Sequence, residues 1–326
     1  MKAITLSDFG GTEVMHYSEV ETPTPGENQI LIRVKATSVN RPDIIQRQGN
    51  YPAPPGDSEI LGLEVAGTVE SIGEKVTRYS TGDRVFALVG GGGYAEFTLA
   101  LESHTMPIPE SLSFEQAACI CETYITAYLN LFMLGKLQGE KSVLIHGGGG
   151  GVATAAIQLC RALTPETQIF VTASSAKIER VSQQGADHVI DYRNQNFADE
   201  IKNISEKRGV DVILDHIGAK YLDANLRSLA VGGRIMVIGV MGGMKAEVNL
   251  AMIMVKRQQI IGSVLRSRPV EEKARVIKQF EQTVMPLFAS AVITPLIHAS
   301  FPLSEAAQAH DLMEQGGHFG KIILLA

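Results

Sequence analysis

Cysteine is scarce in this chain. Its three thiols, Cys119, Cys121 and Cys160, are an odd number and lie in apolar stretches with no partner at zinc-ligand spacing. That excludes a disulfide framework and reads instead as buried thiols in a reducing compartment. An excess of positive charge is missing too. The 29 Lys and Arg face 35 Asp and Glu, a net charge of −6, which argues against nucleic acid or an anionic membrane as the main partner. Long apolar runs are absent as well. The N-terminus reaches Asp8 before a signal-peptide core could build, and the uncharged stretch Ser142 to Cys160 is interrupted by His146 and the glycine run Gly147–Gly151. A cytoplasmic protein with no membrane span is the expectation.

What is present suits a folded chain of two domains. The 326 residues are 45% apolar and 20% charged, enough core-forming side chains for two hydrophobic cores. In the first hundred residues, short Val/Ile/Leu runs (Gln29–Ala36, Ala66–Ile72, Arg84–Leu88, Tyr94–Leu99) alternate with Gly and Pro, as in a compact β-rich domain. Tyr51 to Gly56 carries three prolines and is an extended loop. Ser113 and Gln116 have capping-box spacing, and the apolar period that follows to Phe132 predicts a long helix, continuous, bent or broken, that bridges to the next domain.

From Lys141 the pattern changes to apolar strands joined by helical stretches. The strands are Val143–His146, Ile169–Thr172, His188–Ile190, Val210–Asp215, Arg234–Gly239 and Gln259–Leu265. The helices are Val152–Leu163, Ala176–Gln184, Phe197–Lys207 and Lys220–Leu229. Strands apolar on both faces and linked by helices imply a parallel sheet covered on both sides, a nearly complete doubly wound nucleotide-binding domain. An amphipathic helix follows over Val270–Leu287, and a last strand at Lys321–Leu325 returns to the first domain.

The chemistry centres on the first strand-to-helix turn of the alternating unit. Gly148, Gly150 and Ala153 fit the G-x-G-x-x-A fingerprint, and the helix N-terminus that follows presents free backbone N–H groups to a pyrophosphate. A flexible linker would also be glycine-rich, but it would lack the flanking strand and helix. An NAD-preferring site would place an acid at the end of the next strand. Thr172 to Lys177 holds none, and its small hydroxyls and Lys177 suit the 2′-phosphate of NADPH, unless Lys177 is only a solvated first-turn lysine.

Several further segments run from end to end: Asn40-Arg41-Pro42-Asp43 with Arg47 to Tyr51; Ile60 to Glu64 with Ala66-Gly67; Gly82 to Val85; Gly239 to Gly243; Leu265 to Arg268; and Gly320-Lys321-Ile322. With the glycine turn, they make the whole chain resemble the zinc-free quinone oxidoreductases of the medium-chain dehydrogenase/reductase superfamily, the zeta-crystallin-like group, and especially its tumour-suppressor-induced branch. The resemblance implies an α/β fold in which a GroES-like β-rich catalytic domain, residues 1–122 completed by 267–326, accompanies a Rossmann domain, residues 123–266, with NADPH in the cleft. It further implies that Asn40 and Thr126 lie near the nicotinamide and its ribose. Tyr51 would flank nicotinamide and substrate, the turn Gly151-Val152 would meet the pyrophosphate, and Ser174, Lys177 and Tyr192 would surround the 2′-phosphate. Gly239, Met241 and Leu265 would line the nicotinamide pocket, and Lys321 the cofactor cleft.

Zinc alcohol dehydrogenases of this superfamily would need Cys where Asn40 stands and His where Leu63 stands, so no metal site is expected. The reading is NADPH-dependent reduction of a quinone or related conjugated carbonyl, with Tyr51 and Asn40 at the reacting centre and Tyr51 either a proton donor or a wall. A rival is 2-enoyl-thioester reduction, for which a matching tyrosine protonates the enolate. A rival of another class is a crystallin-like structural or RNA-binding role, disfavoured by the acidic balance and the retained cofactor residues. The strand Gln259–Leu265, as the exposed sheet edge, is expected to pair with its copy in a homodimer.

Overall fold

The computed structural model describes every residue from Met1 to Ala326. In chain order the first elements are β1 (Lys2–Leu6), β2 (Met15–Glu19), β3 (Gln29–Val39), α1 (Arg41–Arg47), β4 (Glu64–Ile72), β5 (Arg84–Leu88), β6 (Phe97–Leu101), β7 (Thr105–Pro107), α2 (Phe114–Ala117) and α3 (Tyr124–Tyr128). An alternating series follows: β8 (Ser142–Ile145), α4 (Gly151–Leu163), β9 (Gln168–Ala173), α5 (Ile178–Gln183), β10 (His188–Asp191), α6 (Phe197–Ile204), β11 (Val210–Asp215), α7 (Leu222–Ser228), β12 (Leu229–Val237), α8 (Leu250–Lys256) and β13 (Gln259–Gly262). The chain closes with α9 (Val270–Ala289), β14 (Ile297–Pro302), α10 (Ala306–Gln315) and β15 (Lys321–Leu325). No helix is long and apolar enough to cross a membrane. The chain divides into two compact units, Met1–Ile125 with Leu265–Ala326, and Thr126–Val264.

The first unit is built on β3. Along it Ile30, Ile32 and Val34 alternate inward while Arg33 and Lys35 face out, the period of a half-buried strand. The sheet runs β14-β15-β3-β4-β5-β7, with β6 also on β3. Ile30, Ile32 and Val34 pack with Val65, Val69 and Val85 into one core. β15 pairs antiparallel with β3, Ile322 opposite Val39, and this register brings Lys321 beside Asn40. Gly67 of β4 permits the closest approach to β3: a Cβ there would lie 2.1 Å from the Arg33 carbonyl oxygen.

The second unit is a six-stranded parallel sheet in the order β10-β9-β8-β11-β12-β13. Its central strands are apolar on both faces because helices cover both, and Leu144, Phe170, Ile190, Ile213 and Ile235 share one core. From β8 the chain passes to β9 on one side, while β11 lies on the other. The C-terminal end of β8 is thus the switch point, the place where open α/β sheets take ligands, and the glycine run begins there.

Of the forms open to the helix expected from Ser113 to Phe132, the structure shows the broken one: α2, a turn, α3 and a wide turn over 129–134. The cause is a side chain far away in sequence: the Glu122 N–H goes to Glu64 Oε2 (2.9 Å) rather than into the helix ladder. The strand expected over Gln259–Leu265 ends at Gly262, although Ser263 N–H still reaches the Val237 carbonyl at 3.0 Å.

Candidate active site

The glycine turn in the second unit divides its labour in a way that spacing did not predict. The left-handed residue is Gly147 (φ 68°), where a Cβ would stand 2.6 Å from the His216 ring. Gly148 is small for packing, since a Cβ would lie 2.5 Å from Val171 Cγ1. At Gly150 a Cβ would meet only the Gly147 carbonyl oxygen, at 3.4 Å, so space beside this backbone is left open. Gly150 is also the N-cap of α4 and carries no side chain to occupy the first N–H groups of the helix, a site suited to an anion. Lys177 leans over the turn, its Nζ 3.1 Å from the position of a Gly149 Cβ. Burial, then the neighbouring Arg180, lowers the Lys177 pKa.

Across the parallel pair, Asp191 stands opposite Ala173, which sets Ser174 next to Tyr192. An acid does occur here, contributed by β10 rather than β9. Asp191 is held ionised by the Ser175 hydroxyl (2.5 Å), the Arg193 N–H (3.0 Å) and the Asn194 amide (2.8 Å), which lower its pKa and occupy its oxygens. His146 is a buried, structural histidine. Its ring meets Thr172 Oγ1 (2.9 Å) and Asn225 Oδ1 (2.8 Å), and burial drives its pKa down to about 3.

In the first unit a buried polar network surrounds Asn40, the N-cap of α1. Lys321 Nζ donates to Asn40 Oδ1 (2.5 Å) and the Val39 carbonyl (3.1 Å), and pairs with Glu64 Oε1 (3.2 Å). Asn40 Nδ2 donates to the same carboxylate oxygen at 3.0 Å, as does the Ser38 hydroxyl. One cation and one anion are thereby neutralised with nearly all their hydrogen-bonding capacity met, which a buried pair requires. Asp43 accepts from the N–H groups of Asn40 (2.7 Å) and Gly62 (3.1 Å) and from the Tyr94 hydroxyl (3.3 Å). Burial nonetheless raises its pKa to about 6. Behind it, Arg47 donates to His310 Nδ1 (3.2 Å). Arginine can only donate, so Nε2 carries the proton toward Tyr94 at 3.0 Å.

Tyr51 follows α1 on the proline loop, half-buried. The Arg266 guanidinium lies 5.1 Å over its ring and donates through Nη1 to the Tyr51 carbonyl (3.4 Å) and through Nε to that of Gly90 (2.8 Å). Burial, then the Glu122 carboxylate, raises the Tyr51 pKa, and Arg266 opposes them. Glu122 is pushed up to about 8 by burial, with Glu64 and Asp43 adding to it. All three cysteines are buried, and burial raises their pKa values. No group of three or more His, Cys, Asp or Glu side chains is arranged to hold a metal ion.

The alcohol dehydrogenase GroES-like domain family matches residues 26–110, and a family described as zinc-binding dehydrogenase matches residues 184–324. A quinone oxidoreductase of Rattus norvegicus is 38% identical over 100% of this chain and 98% of its own length. The chain belongs to the quinone oxidoreductase family of the medium-chain dehydrogenase/reductase superfamily. Membership makes it an oxidoreductase, with the GroES-like and Rossmann-type parts that the sequence implied. A mycobacterial protein solved in complex with NADPH is similar over 100% of both chains, with 29% identity and TM-score 0.90. The enoyl reductase CurK is similar over 99% of this chain and 98% of its own, with 27% identity and TM-score 0.88.

Within this family member, the sequence-derived residues fall into separate groups. Gly148, Gly150, Gly151, Val152, Ser174, Lys177 and Tyr192 gather at the C-terminal ends of β8, β9 and β10. Gly239 and Met241 lie in the loop after β12, where the Met241 N–H bonds the His216 carbonyl (3.1 Å), and the Met241 side chain is exposed. Thr126 is in α3, its carbonyl accepting from Asn130 Nδ2 (2.8 Å). Asn40, Tyr51, Leu265 and Lys321 belong to the other unit, where Asn40 and Lys321 are in direct contact. Sequence reasoning assigned no role to Asp43, Glu64, Glu122 or Arg266. Asp43 was detectable as the acid three residues after an N-cap Asn, and Glu64 as an acid inside an apolar strand. Nothing local marks Glu122 or Arg266.

Proposed function

We propose that this chain is an NADPH-dependent quinone oxidoreductase that delivers a hydride to a quinone or related conjugated carbonyl without zinc. The observation that carries the reading is the chemistry at Asn40: where a metal enzyme of the superfamily needs a thiolate, an amide bridges Lys321 and Glu64 in an internally neutralised cluster. An acceptor already polarised by conjugation needs no Lewis acid, whereas an alcohol substrate would.

Bound NADPH supplies the hydride. The open backbone at Gly150 and the first N–H groups of α4 hold its pyrophosphate, and Ser174, Lys177 and Tyr192 hold the 2′-phosphate. The work divides between a catalytic part, the unit Met1–Ile125 with Leu265–Ala326, and a dinucleotide part, the unit Thr126–Val264. The three buried thiols suit a reducing compartment such as the cytoplasm. The edge strand β13, with exposed Ile260 beside exposed Leu250, Met254 and Val255 of α8, suits a two-fold pairing with a second copy.

The second reading, 2-enoyl-thioester reduction, is favoured by the likeness to CurK and by the Tyr51 hydroxyl. Rates of NADPH oxidation across ortho-quinones, para-quinones and enoyl-thioesters decide between them. The expected result is quinone-dependent oxidation that chelators leave unchanged, in protein without stoichiometric zinc. Turnover of enoyl-thioesters alone, or one zinc per chain by elemental analysis, overturns the proposal.

A further inference from the structure

Two buried polar atoms near Tyr51 have no hydrogen-bond partner: Glu122 Oε1 and Arg266 Nη2. Leaving either unmade is costly, more so for a charged group, and native structures keep such atoms for a reason. Both groups are otherwise anchored. Arg266, 4% exposed, is fixed by the Gly90 and Tyr51 carbonyls through Nε and Nη1, so Nη2 is an aimed donor. Glu122 is fixed through its backbone by Glu64. Both side chains are close enough to Tyr51 for their charges to act on its hydroxyl, with opposite sign.

We propose that Arg266 Nη2 and the Glu122 carboxyl form the site for the acceptor's oxygen, the first as a fixed donor and the second as the acid that protonates it. The proposal rests on the quinone-reduction reading and names the groups that complete it. Glu122 can hold a proton at neutral pH because of what surrounds it. Glu64 of β4 and Asp43 of α1 repel a second negative charge, while Lys321 of β15, Arg266 and Lys273 of α9 draw the other way, and Tyr51 and Cys121 are its remaining titratable neighbours. Burial, the largest effect, together with the two carboxylates, raises the Glu122 pKa to about 8.

The electron and proton count closes. NADPH is oxidised to NADP⁺, and its hydride reduces the quinone to the hydroquinone monoanion. The Glu122 O–H bond breaks, its proton completes the second hydroxyl of the hydroquinone, and the carboxylate left behind takes a proton from solvent. During the step the negative charge on the acceptor oxygen faces Arg266 Nη2, a preorganised donor of the kind that stabilises oxyanions.

The test compares wild type, Glu122→Gln, Glu122→Asp and Arg266→Lys in kcat/KM for an ortho-quinone against pH, with infrared titration of the protein alone. Wild-type kcat/KM is expected to fall as pH rises through about 8. Glu122→Gln should lose the pH dependence and about tenfold or more in kcat/KM near neutral pH. Glu122→Asp should keep a pH-dependent fall at a lower rate, and Arg266→Lys should raise KM. In the infrared, a protonated-carboxyl band should disappear over the same pH range in wild type and be absent from Glu122→Gln. A folded Glu122→Gln enzyme with the wild-type rate and pH profile overturns the proposal while leaving quinone reduction intact. So does a wild-type infrared titration without that band, whatever the variants do. No turnover of any quinone by wild type overturns the function reading, and the proposal with it.

Discussion

Lys177 and Tyr51 carry the sharpest consequences at the scale of single residues. Lys177 leans over the glycine turn, and the one acid close by, Asp191, is occupied by Ser175, Arg193 and Asn194. A 2′-phosphate therefore meets a cation and no uncommitted carboxylate. NADPH is expected to bind at least about tenfold tighter than NADH, or about 1.4 kcal/mol, and Lys177→Glu to reverse the order. Equal dissociation constants in the unmodified protein, measured by calorimetry, contradict this. For Tyr51, burial and the Glu122 carboxylate make the hydroxyl a weaker acid, while Arg266 is held over the ring. Tyr51→Phe keeps that ring and should reduce quinone turnover by less than about tenfold, under 1.4 kcal/mol of barrier. Tyr51→Ala should cost more by removing the wall. A fall of about a hundredfold for Tyr51→Phe at unchanged NADPH affinity would mean that the hydroxyl itself does the chemistry.

At the scale of elements, the break between α2 and α3 and the bare edge at β13 show opposite relations to sequence. The periodicity from Ser113 onward is genuine, yet Glu64 captures the Glu122 N–H and the helix cannot run through. A carboxylate from another strand decides it, and no window of local sequence contains that information. β13, in contrast, is legible as the last strand of the alternating series and therefore as an edge. Its unpaired ladder beside the exposed side chains of α8 is a hazard unless covered. The Ser263 N–H goes to Val237 of β12, so by alternation the Ile260 N–H faces outward, and a proline at Ile260 removes one N–H from that edge without touching the glycine turn. Ile260→Pro is expected to shift a homodimer toward monomer by light scattering at micromolar concentration. A wild-type monomer under those conditions, or a dimer indifferent to the proline, contradicts the proposed pairing.

For the whole molecule, buried neutral histidines in both units link stability to pH. Burial lowers His146 in the parallel-sheet unit and His310 in the other to about 3, from an ordinary value of 6.5. Between those values the unfolded chain binds protons that the folded chain refuses. The contribution to stability is complete above about 6.5 and is lost progressively as pH falls toward 3. Glu122 and Asp43, raised by burial to about 8 and about 6, act in the opposite sense, since the folded chain holds protons there that the unfolded chain releases. The histidine share is therefore read by difference: near pH 5 the wild type should take up more protons on unfolding than His310→Gln, and its urea midpoint should fall more, or rise less, with decreasing pH than that of the variant. Identical proton uptake and identical midpoint slopes in the two proteins show that His310 is not buried in neutral form.

The sequence by itself determined the α/β class, the parallel sheet, the glycine turn and the placing of Ser174, Lys177 and Tyr192 just beyond β9 and β10. These follow from local periodicity and from residues a short distance apart on consecutive βα units. It also marked Asn40, Tyr51 and Lys321 individually. Only the tertiary structure decided that Lys321, from the last strand, meets Asn40 and Glu64 from the first hundred residues, and that Glu122 and Arg266 come together near Tyr51. Those contacts depend on sheet register, β15 against β3, and on burial, which turns an ordinary glutamate into one that holds its proton near neutral pH. Neither can be read from residue type, because the same side chain at the surface would titrate as any other carboxylate.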